Sequence, residues 1–215
     1  MRANASAGFS IVTYTGTGAN ATVGHGLGVA AQMVIVKRRN STGNWAVWHK
    51  ALAGADYLRL NTDLAKGTDA TYWNSTVPTS TVFSVGTSAD TNANGGTYVA
   101  YCFTSVTGYS LIGEYSSGTE PFVYCGFMPK FIVIKRTASG DGWAAFDSQR
   151  TPYNVALPRL ELDKSQAESG SDGIDFLSNG FKIKTTWGGM GGSLGSGTMA
   201  FMAFAENPFQ YARAR

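Results

Sequence analysis

The sequence predicts an all-β protein, a β-sandwich or jelly roll built from two tandem copies of a unit of roughly 100 residues. Short segments rich in Val, Ile, Tyr, Phe and Thr fill the 215 residues, and turns rich in Gly, Asn and Ser separate them. A six-residue string of four apolar residues and two basic ones occurs twice in similar form, 98 positions apart. No long amphipathic helix is predicted, because only residues 160–167 could form one or two helical turns.

The repeat is read from strings that recur at nearly constant spacing. Residues 33–38 (MVIVKR) recur as 131–136 (FIVIKR), and the same offset places Trp45 on Trp143. Other matches, at offsets of 98, 100 and 101, are Phe83 with Phe181, 8–10 with 108–110, 96–97 with 197–198, and Phe103 with Phe204. We therefore expect β repeat units at 8–107 and 108–209, packed closely as one compact double-unit domain, and a short basic C-terminal tail at 210–215.

Each unit is predicted to contain about seven strands. In the first unit they are expected at 9–15, 21–27, 32–38, 45–52, 57–61, 81–85 and 97–105. The runs 34–36 and 132–134 are continuously apolar, which is typical of central strands that are covered on both faces.

Composition excludes several classes of protein. Charged residues make up only 14% of the chain and the net charge is +3, so no nucleic-acid partner is expected, and the densest basic run is just 37–39. No apolar stretch reaches the length of a transmembrane helix, so no membrane insertion is expected. The N-terminus lacks the apolar segment of a signal peptide, so we expect synthesis in a cytoplasm without secretion by that route.

The sequence contains no recognisable catalytic, metal or cofactor motif. The two histidines, His25 and His49, are not spaced as zinc ligands, and the 14 carboxylates form no evident acid–base pair. Asp172, Asp175 and Glu168 are compatible with either a calcium loop or an ordinary turn. We expect no enzyme, no bound metal and no cofactor, although a pair of carboxylates brought together in space stays open as an alternative.

Both cysteines lie inside apolar runs. Cys102 and Cys125 are therefore expected to be buried free thiols, and a single disulfide between them is the alternative.

Aromatic residues divide into repeated and unrepeated ones. Trp45 and Trp143 recur at equivalent places, which indicates a packing role in the core. Tyr72, Trp73 and Asn74, with Trp187, have no counterpart in the other unit and lie in polar or Gly-rich surroundings. We predict that Trp73 and Trp187 are partly exposed and that a ligand is bound by Tyr72, Trp73, Asn74 and Trp187, with packing over a sandwich edge as the alternative.

Several strings resemble a known family. They are 24–30 (GHGLGVA), 33–39 (MVIVKRR), 44–47 (NWAV), 95–103 (GGTYVAYCF) and 202–209 (MAFAENPF). Together they resemble an uncharacterised domain family of tailed bacteriophages, found in tail-fibre and other virion structural proteins of marine phages. The resemblance implies a concanavalin-like or similar β-sandwich and identifies no binding residues.

The resemblance implies a structural protein of a bacteriophage virion, in a tail fibre, the tail tip or a head decoration, that contacts host surface glycans. The alternative is a purely architectural capsid or tail decoration protein without a ligand, and a weaker one is a glycan depolymerase. The expected partners are other virion proteins, a host cell-surface glycan and further copies of the chain, as a homotrimer or, second, a homodimer.

Overall fold

Antiparallel strands dominate the computed structural model of the chain, which describes residues 1–116, 118, 120–168, 173–184 and 197–206. Strands account for 45% of the described residues and helices for 6%. This confirms the predicted all-β sandwich class. The chain divides into two compact units: unit 1 contains Met1–Asn61 and Lys66–Ser105, and unit 2 contains Thr62–Ala65 and Val106–Arg215. The tail predicted at 210–215 lies outside the described residues.

Unit 1 contains nine strands, a 3-10 turn and two single-turn helices. The strands are β1 (Arg2–Asn4), β2 (Phe9–Thr15), β3 (Ala21–Gly24), β4 (Met33–Arg38), β5 (Trp45–His49), β6 (Asp56–Arg59), β7 (Gly67–Thr68), β8 (Val82–Val85) and β9 (Thr97–Phe103). The 3-10 turn is Ala5–Ala7, and the helices are α1 (Ala70–Trp73) and α2 (Ala89–Asn92). The sheet order is β1-β2-β9-β4-β5-β6-β7, and β3 pairs with β8 in a second sheet.

Unit 2 contains eight strands in its described part. They are β10 (Ser110–Ser116), β11 (Phe122–Tyr124), β12 (Pro129–Arg136), β13 (Ala144–Asp147), β14 (Leu160–Glu161), β15 (Ile174–Leu177), β16 (Gly180–Ile183) and β17 (Thr198–Ala205). The larger sheet has the order β10-β17-β12-β13-β14, and the smaller one the order β11-β16-β15.

Each unit has its own hydrophobic core, formed by side chains from both of its sheets. In unit 1 the core joins Val34 and Trp48 of the larger sheet to Phe83 of the smaller sheet. In unit 2 it joins Ile132 and Phe201 to Phe181 in the same way. Burying such side chains contributes about 1.5–3 kcal/mol each.

The two apolar runs form central strands, as the sequence predicts. Residues 34–36 lie in β4 and residues 132–134 in β12, and all six are buried, so both faces of these strands are covered. Strand ends were less predictable. The strand predicted at 45–52 stops at His49, because Leu52 N donates to His49 O and turns the chain. The helical turns predicted from 160 begin instead with β14.

The two larger sheets share one strand order. Strands β2, β9, β4, β5 and β6 occupy the places that β10, β17, β12, β13 and β14 occupy in unit 2. The register agrees as well, since β4 pairs Met33 with Phe103 while β12 pairs Phe131 with Phe204. Superposable backbones, which the duplication hypothesis requires, stay a prediction.

Register corrects one detail of the repeat. Phe9 pairs with Phe103, and Ser110 pairs with the equivalent Phe204, so β2 and β10 correspond at an offset of 101 rather than the predicted 100. This offset equates Tyr14 with Tyr115. The two tyrosines make similar edge contacts with Phe83 and Phe181, with ring centroids 6.2 and 6.1 Å apart.

The corrected offset reveals a coupled size exchange in the two cores. In unit 1, Val12 lies opposite Ala100 on adjacent strands, and in unit 2 the equivalent pair is Gly113 and Phe201. A Cβ added at Gly113 would lie 2.5 Å from the Phe201 ring. The larger residue of the pair therefore lies on the first of the two strands in unit 1 and on the second in unit 2.

The side-chain ammonium group of Lys135 lies inside unit 2. It is fully buried, and its Nζ donates to the carbonyl oxygens of Asp63, at 2.8 Å, and Asp141. Burial lowers the pKa of Lys135 from 10.5 to about 8, against the opposing charges of Asp163, Asp141 and Asp63. Its counterpart in the repeat, Lys37, is partly exposed and donates to Gly43 O at 2.6 Å.

We predict that the stability contribution of Lys135 increases with pH. Between pH 8 and 10.5 the unfolded chain binds more protons at this lysine than the folded chain does, so the free energy of unfolding increases through that window. The gain is about 1 kcal/mol between pH 7 and pH 9. Urea unfolding at both pH values measures it, with Lys135→Met as the control that lacks it. Equal pH profiles for the two proteins would contradict the assignment.

A double-mutant cycle tests the exchanged pair. Phe201→Ala should cost about 3–5 kcal/mol by emptying a buried aromatic site, and Gly113→Val alone should be destabilising because its side chain would meet the Phe201 ring. The double variant, which recreates the Val–Ala pair of unit 1, should be more stable than the sum of the single effects indicates. Additive costs in denaturant unfolding would show that the two sites are independent.

Candidate functional site

The ligand site predicted at residues 72–74 is largely buried. Tyr72 is 5% exposed and Trp73 2% exposed, because both belong to α1, which directs their rings into the core of unit 1. Asp69 caps the start of this helix, accepting from Thr71 N, and Asn74 ends it in the left-handed conformation. The prediction that Trp73 offers an exposed stacking face is therefore wrong. Trp187 lies outside the described residues.

Tyr72 takes part in an internal polar network instead. Its ring stacks on Tyr57 with 3.7 Å between centroids, and its hydroxyl donates to Asp90 Oδ2 at 2.9 Å. Arg59 donates to the same hydroxyl at 3.0 Å. Burial raises the pKa of Tyr72 to about 12, so the hydroxyl keeps its proton at neutral pH. This network fixes α1 and leaves no ring face for a ligand.

The repeated tryptophans differ in exposure. Trp143 is buried, which confirms the predicted core position. Trp45 is only half-buried, with its ring near that of Tyr101 and the Lys37 ammonium 5.9 Å from its centroid. Trp73 was predicted to be more exposed than Trp45, and the structure shows the opposite.

Exposed aromatic rings occur together on one short strand of unit 2. Phe122 and Tyr124 in β11 are 48% and 66% exposed, while Val123 between them is buried. Side chains alternate along a strand, so both rings point outward from the same face. Val123 anchors the strand by packing in the core of unit 2 with Phe181 of β16.

Charged groups border these rings. Lys182 lies directly opposite Phe122 in the register, and its Nζ is 2.8 Å from Glu120 Oε2. Lys184 Nζ donates to the same oxygen at 3.4 Å. The hydrogen bond from Lys182, followed by the contribution of Lys184, lowers the pKa of Glu120. We call Phe122, Tyr124, Glu120, Lys182 and Lys184 the aromatic face.

The residue that precedes Pro121 and β11 has an uncommon backbone conformation. Glu120 has a φ of 48°, a conformation that is uncommon for a residue other than Gly, Asn or Asp and is found preferentially at functional sites. Pro121 follows it and limits the length over which another strand could pair with β11. The rings of Phe122 and Tyr124 therefore lie on β11, and the carboxylate of Glu120 lies in the segment just before that strand.

Unit 1 has no such face at the equivalent place. Val23 pairs with Phe83 as Val123 pairs with Phe181, so Thr22 and Gly24 correspond to Phe122 and Tyr124. The aromatic face is therefore unrepeated, which is the property that wrongly favoured Tyr72 and Trp73. The sequence signal that could have revealed it is the placement of two aromatic residues, Phe122 and Tyr124, on either side of Val123, because alternate side chains of a strand point to the same face.

The described residues contain no group of three or more His, Cys, Asp or Glu side chains placed to hold a metal ion. Asp172 of the possible calcium loop lies outside them. His25 is held by backbone, its Nδ1 accepting from Leu27 N and its Nε2 3.1 Å from Thr79 O.

Cys102 and Cys125 are free thiols, and burial raises the pKa of each to about 12.

Carboxylates do approach each other near Gly142. Glu161 and Asp163 both lie close to the space that a Cβ on Gly142 would occupy. Glu161 is paired with Arg159 and with Lys164, at 2.9 and 2.5 Å, and these partners hold its pKa below the usual value despite burial. A glycosidase acid needs a raised pKa, so this carboxyl has the opposite property.

Comparison with known proteins identifies a family. A family model described as Domain of unknown function (DUF7483) matches residues 1–208. The chain belongs to this family. No curated protein matches it in sequence. A solved structure described as "Crystal Structure of the STIV MCP" is similar over 91% of this chain and 85% of that chain, with 9% identity and a TM-score of 0.25. That degree of likeness supports no inference about function.

In the described part of the DUF7483 chain, no helix has the length and apolar character that crossing a bilayer requires.

Mutations should distinguish the buried aromatic from the exposed one. We predict that Trp73→Ala costs about 3–5 kcal/mol of unfolding free energy. Trp73→Phe should cost less, because the indole N–H has no hydrogen-bond partner among the described residues and its loss removes no bond. Tyr124→Ala should change stability by no more than about 0.5 kcal/mol. Denaturant unfolding measures all three, and a Tyr124 cost as large as that of Trp73 would contradict the burial difference.

Proposed function

We propose that this DUF7483 protein is a structural protein of a bacteriophage virion and that the aromatic face of unit 2 contacts a glycan on the host surface. The observation that carries the glycan contact is the outward pair Phe122 and Tyr124 on a strand anchored by buried Val123. The virion role is supported by the resemblance of five strings of the chain to a domain of phage tail fibres.

The chemistry of the face suits a sugar. Aromatic rings offer flat apolar surfaces of the kind on which the C–H faces of sugar rings stack, and a strand holds them in place before binding. Lys182 and Lys184 supply ammonium donors and Glu120 a carboxylate acceptor beside the rings. Charged partners make the stronger hydrogen bonds, so they are suited to bonding ring hydroxyls.

A peptide strand fits the same surface less well. Adding a strand to β11 would use its backbone edge, which is three residues long and follows Pro121. Short edges that adjoin proline are the ones that proteins use to discourage strand addition. Recognition through side chains is therefore favoured at this surface.

A purely architectural role is the second candidate, and a separate observation favours it. Tyr153, Leu157, Leu160 and Leu162 of unit 2 are all at least 40% exposed within ten residues. Exposed apolar residues concentrated in this way are typical of protein interfaces. Such an interface would serve contacts with other virion proteins or with further copies of the chain, as a homotrimer or a homodimer.

A glycan depolymerase has the least support. The buried carboxyl Glu161 is ion-paired and has a lowered pKa, which does not suit a general acid. We accordingly propose a non-enzymatic protein that needs no metal or cofactor.

The place of the protein in the particle is part of the proposal. We propose a tail-fibre, tail-tip or head-decorating position in a virion assembled after synthesis in the host cytoplasm. Immunogold labelling of intact phage with an antibody against the purified protein tests this directly. Label on the particle supports the virion role, and purified particles that lack the protein by mass spectrometry would contradict it.

Host-cell binding tests the aromatic face. Phe122→Ala and Tyr124→Ala should each weaken binding of the purified protein about tenfold, since stacking contacts of this kind are worth about 1–2 kcal/mol. Val77→Ala, at another exposed apolar position in unit 1, is the matched control and should bind like wild type. Melting temperatures should be nearly equal for all four proteins.

Two outcomes would contradict the glycan contact. One is wild-type cell binding by both aromatic variants. The other is unchanged binding after the sugar rings of the host glycans have been oxidised by periodate, which would indicate a protein receptor.

A further inference from the structure

We propose that the aromatic face binds a saccharide that carries a carboxylate, and that Glu120 occupies the place of this carboxylate when no ligand is bound. The inference rests on the proposed glycan contact and specifies the class of sugar. Its basis is the convergence of two ammonium groups on one carboxylate oxygen beside two exposed rings.

The first step concerns the two lysines. Lys182 and Lys184 alternate with buried Phe181 and Ile183, so both project outward from the sheet. Their Nζ atoms reach a single atom, Glu120 Oε2, at 2.8 and 3.4 Å. Asp175 is the cross-strand neighbour of Lys182, yet both ammonium groups contact Glu120. Two cations that converge on one oxygen form a receptor for a carboxylate.

The second step concerns Glu120 itself. It is partly exposed, has a φ of 48° and belongs to the turn before β11 rather than to the sheet. Exposed ion pairs contribute little to stability, so exchanging Glu120 for another carboxylate costs little. An incoming sugar carboxylate can therefore displace Glu120 while Lys182 and Lys184 remain in place on the strand and just beyond it.

The third step places the sugar ring. Lys182 lies directly opposite Phe122 on the adjacent strand, a relation that brings Cβ atoms to about 4.5–5.5 Å. A sugar whose carboxylate bonds Lys182 therefore has its ring near Phe122. Tyr124, two residues along the strand and on the same face, lies where a second sugar of the chain would continue.

The fourth step explains selection against neutral sugars. A neutral sugar would leave the Glu120 pairs intact and gain only stacking and weak hydroxyl contacts. A carboxylated sugar would gain charge-assisted bonds with both lysines. Acidic sugars should therefore bind in preference, and the preference should decline with added salt because the site is exposed.

The test uses a glycan array on which each oligosaccharide containing uronic or sialic acid is printed beside its methyl ester. Wild-type protein should bind the free acids more strongly than the esters. Lys182→Gln should reduce binding to the acids about tenfold and reduce the weak binding to the esters much less, because the esters bond Lys182 only through hydroxyls. Glu120→Gln should increase binding to the acids about two- to fivefold, since it removes the internal competitor.

Different results identify which proposal fails. Equal binding of acids and esters, or a Glu120→Gln protein that binds acids no better than wild type, would overturn the acidic class even if Phe122→Ala still weakens binding. If Phe122→Ala and Tyr124→Ala both bind the array like wild type, the proposed glycan contact itself is overturned. Melting curves of the variants confirm that each is folded, and Val77→Ala serves again as the unaffected control.

Discussion

The larger sheet of each unit depends on its last long strand, which pairs with two strands from the first half of that unit. Strand β9 lies between β2 and β4, and β17 lies between β10 and β12. The first and third members of each trio make no pairing with each other in the described register, so the sheet closes only when the last strand inserts. Long-range pairing of this kind costs loop-closure entropy before its contacts form, which makes folding slow relative to helical proteins of equal size.

The parts of the fold that sequence predicts well are those governed by continuous burial. The apolar runs in β4 and β12 are central strands because no other arrangement covers both of their faces. The site was predicted less well, because exposure depends on where a turn directs a ring. Tyr72 and Trp73 lie among polar residues in the sequence, yet Asp69 and Asn74 cap a single helical turn that carries both rings inward. Phe122 and Tyr124 show the reverse, since they lie in an apolar run but alternate outward.

The lysines Lys37 and Lys135 show how one repeated position acquires different properties. Each is the penultimate residue of a central strand and donates to a carbonyl of the following turn, Gly43 O and Asp141 O. In unit 2 the ammonium group has a second acceptor, Asp63 O, and complete burial lowers the pKa of the lysine. The residue and its bond to the turn carbonyl recur in both units, and the difference between them is the depth of burial. No comparison of the two sequences would have revealed it.

The exchanged sizes of Val12–Ala100 and Gly113–Phe201 have a consequence for assembly fidelity. Two similar β units on one chain can trade strands while they fold, and such swapping is a characteristic failure of tandem proteins. If β2 took the place of β10 beside β17, Val12 would meet Phe201 and the core would be overfilled. If β10 took the place of β2 beside β9, Gly113 would face Ala100 and leave a void. Both mispaired arrangements are less stable, the first because the core is overfilled and the second because it contains a void. The two residue pairs therefore favour pairing of each strand within its own unit.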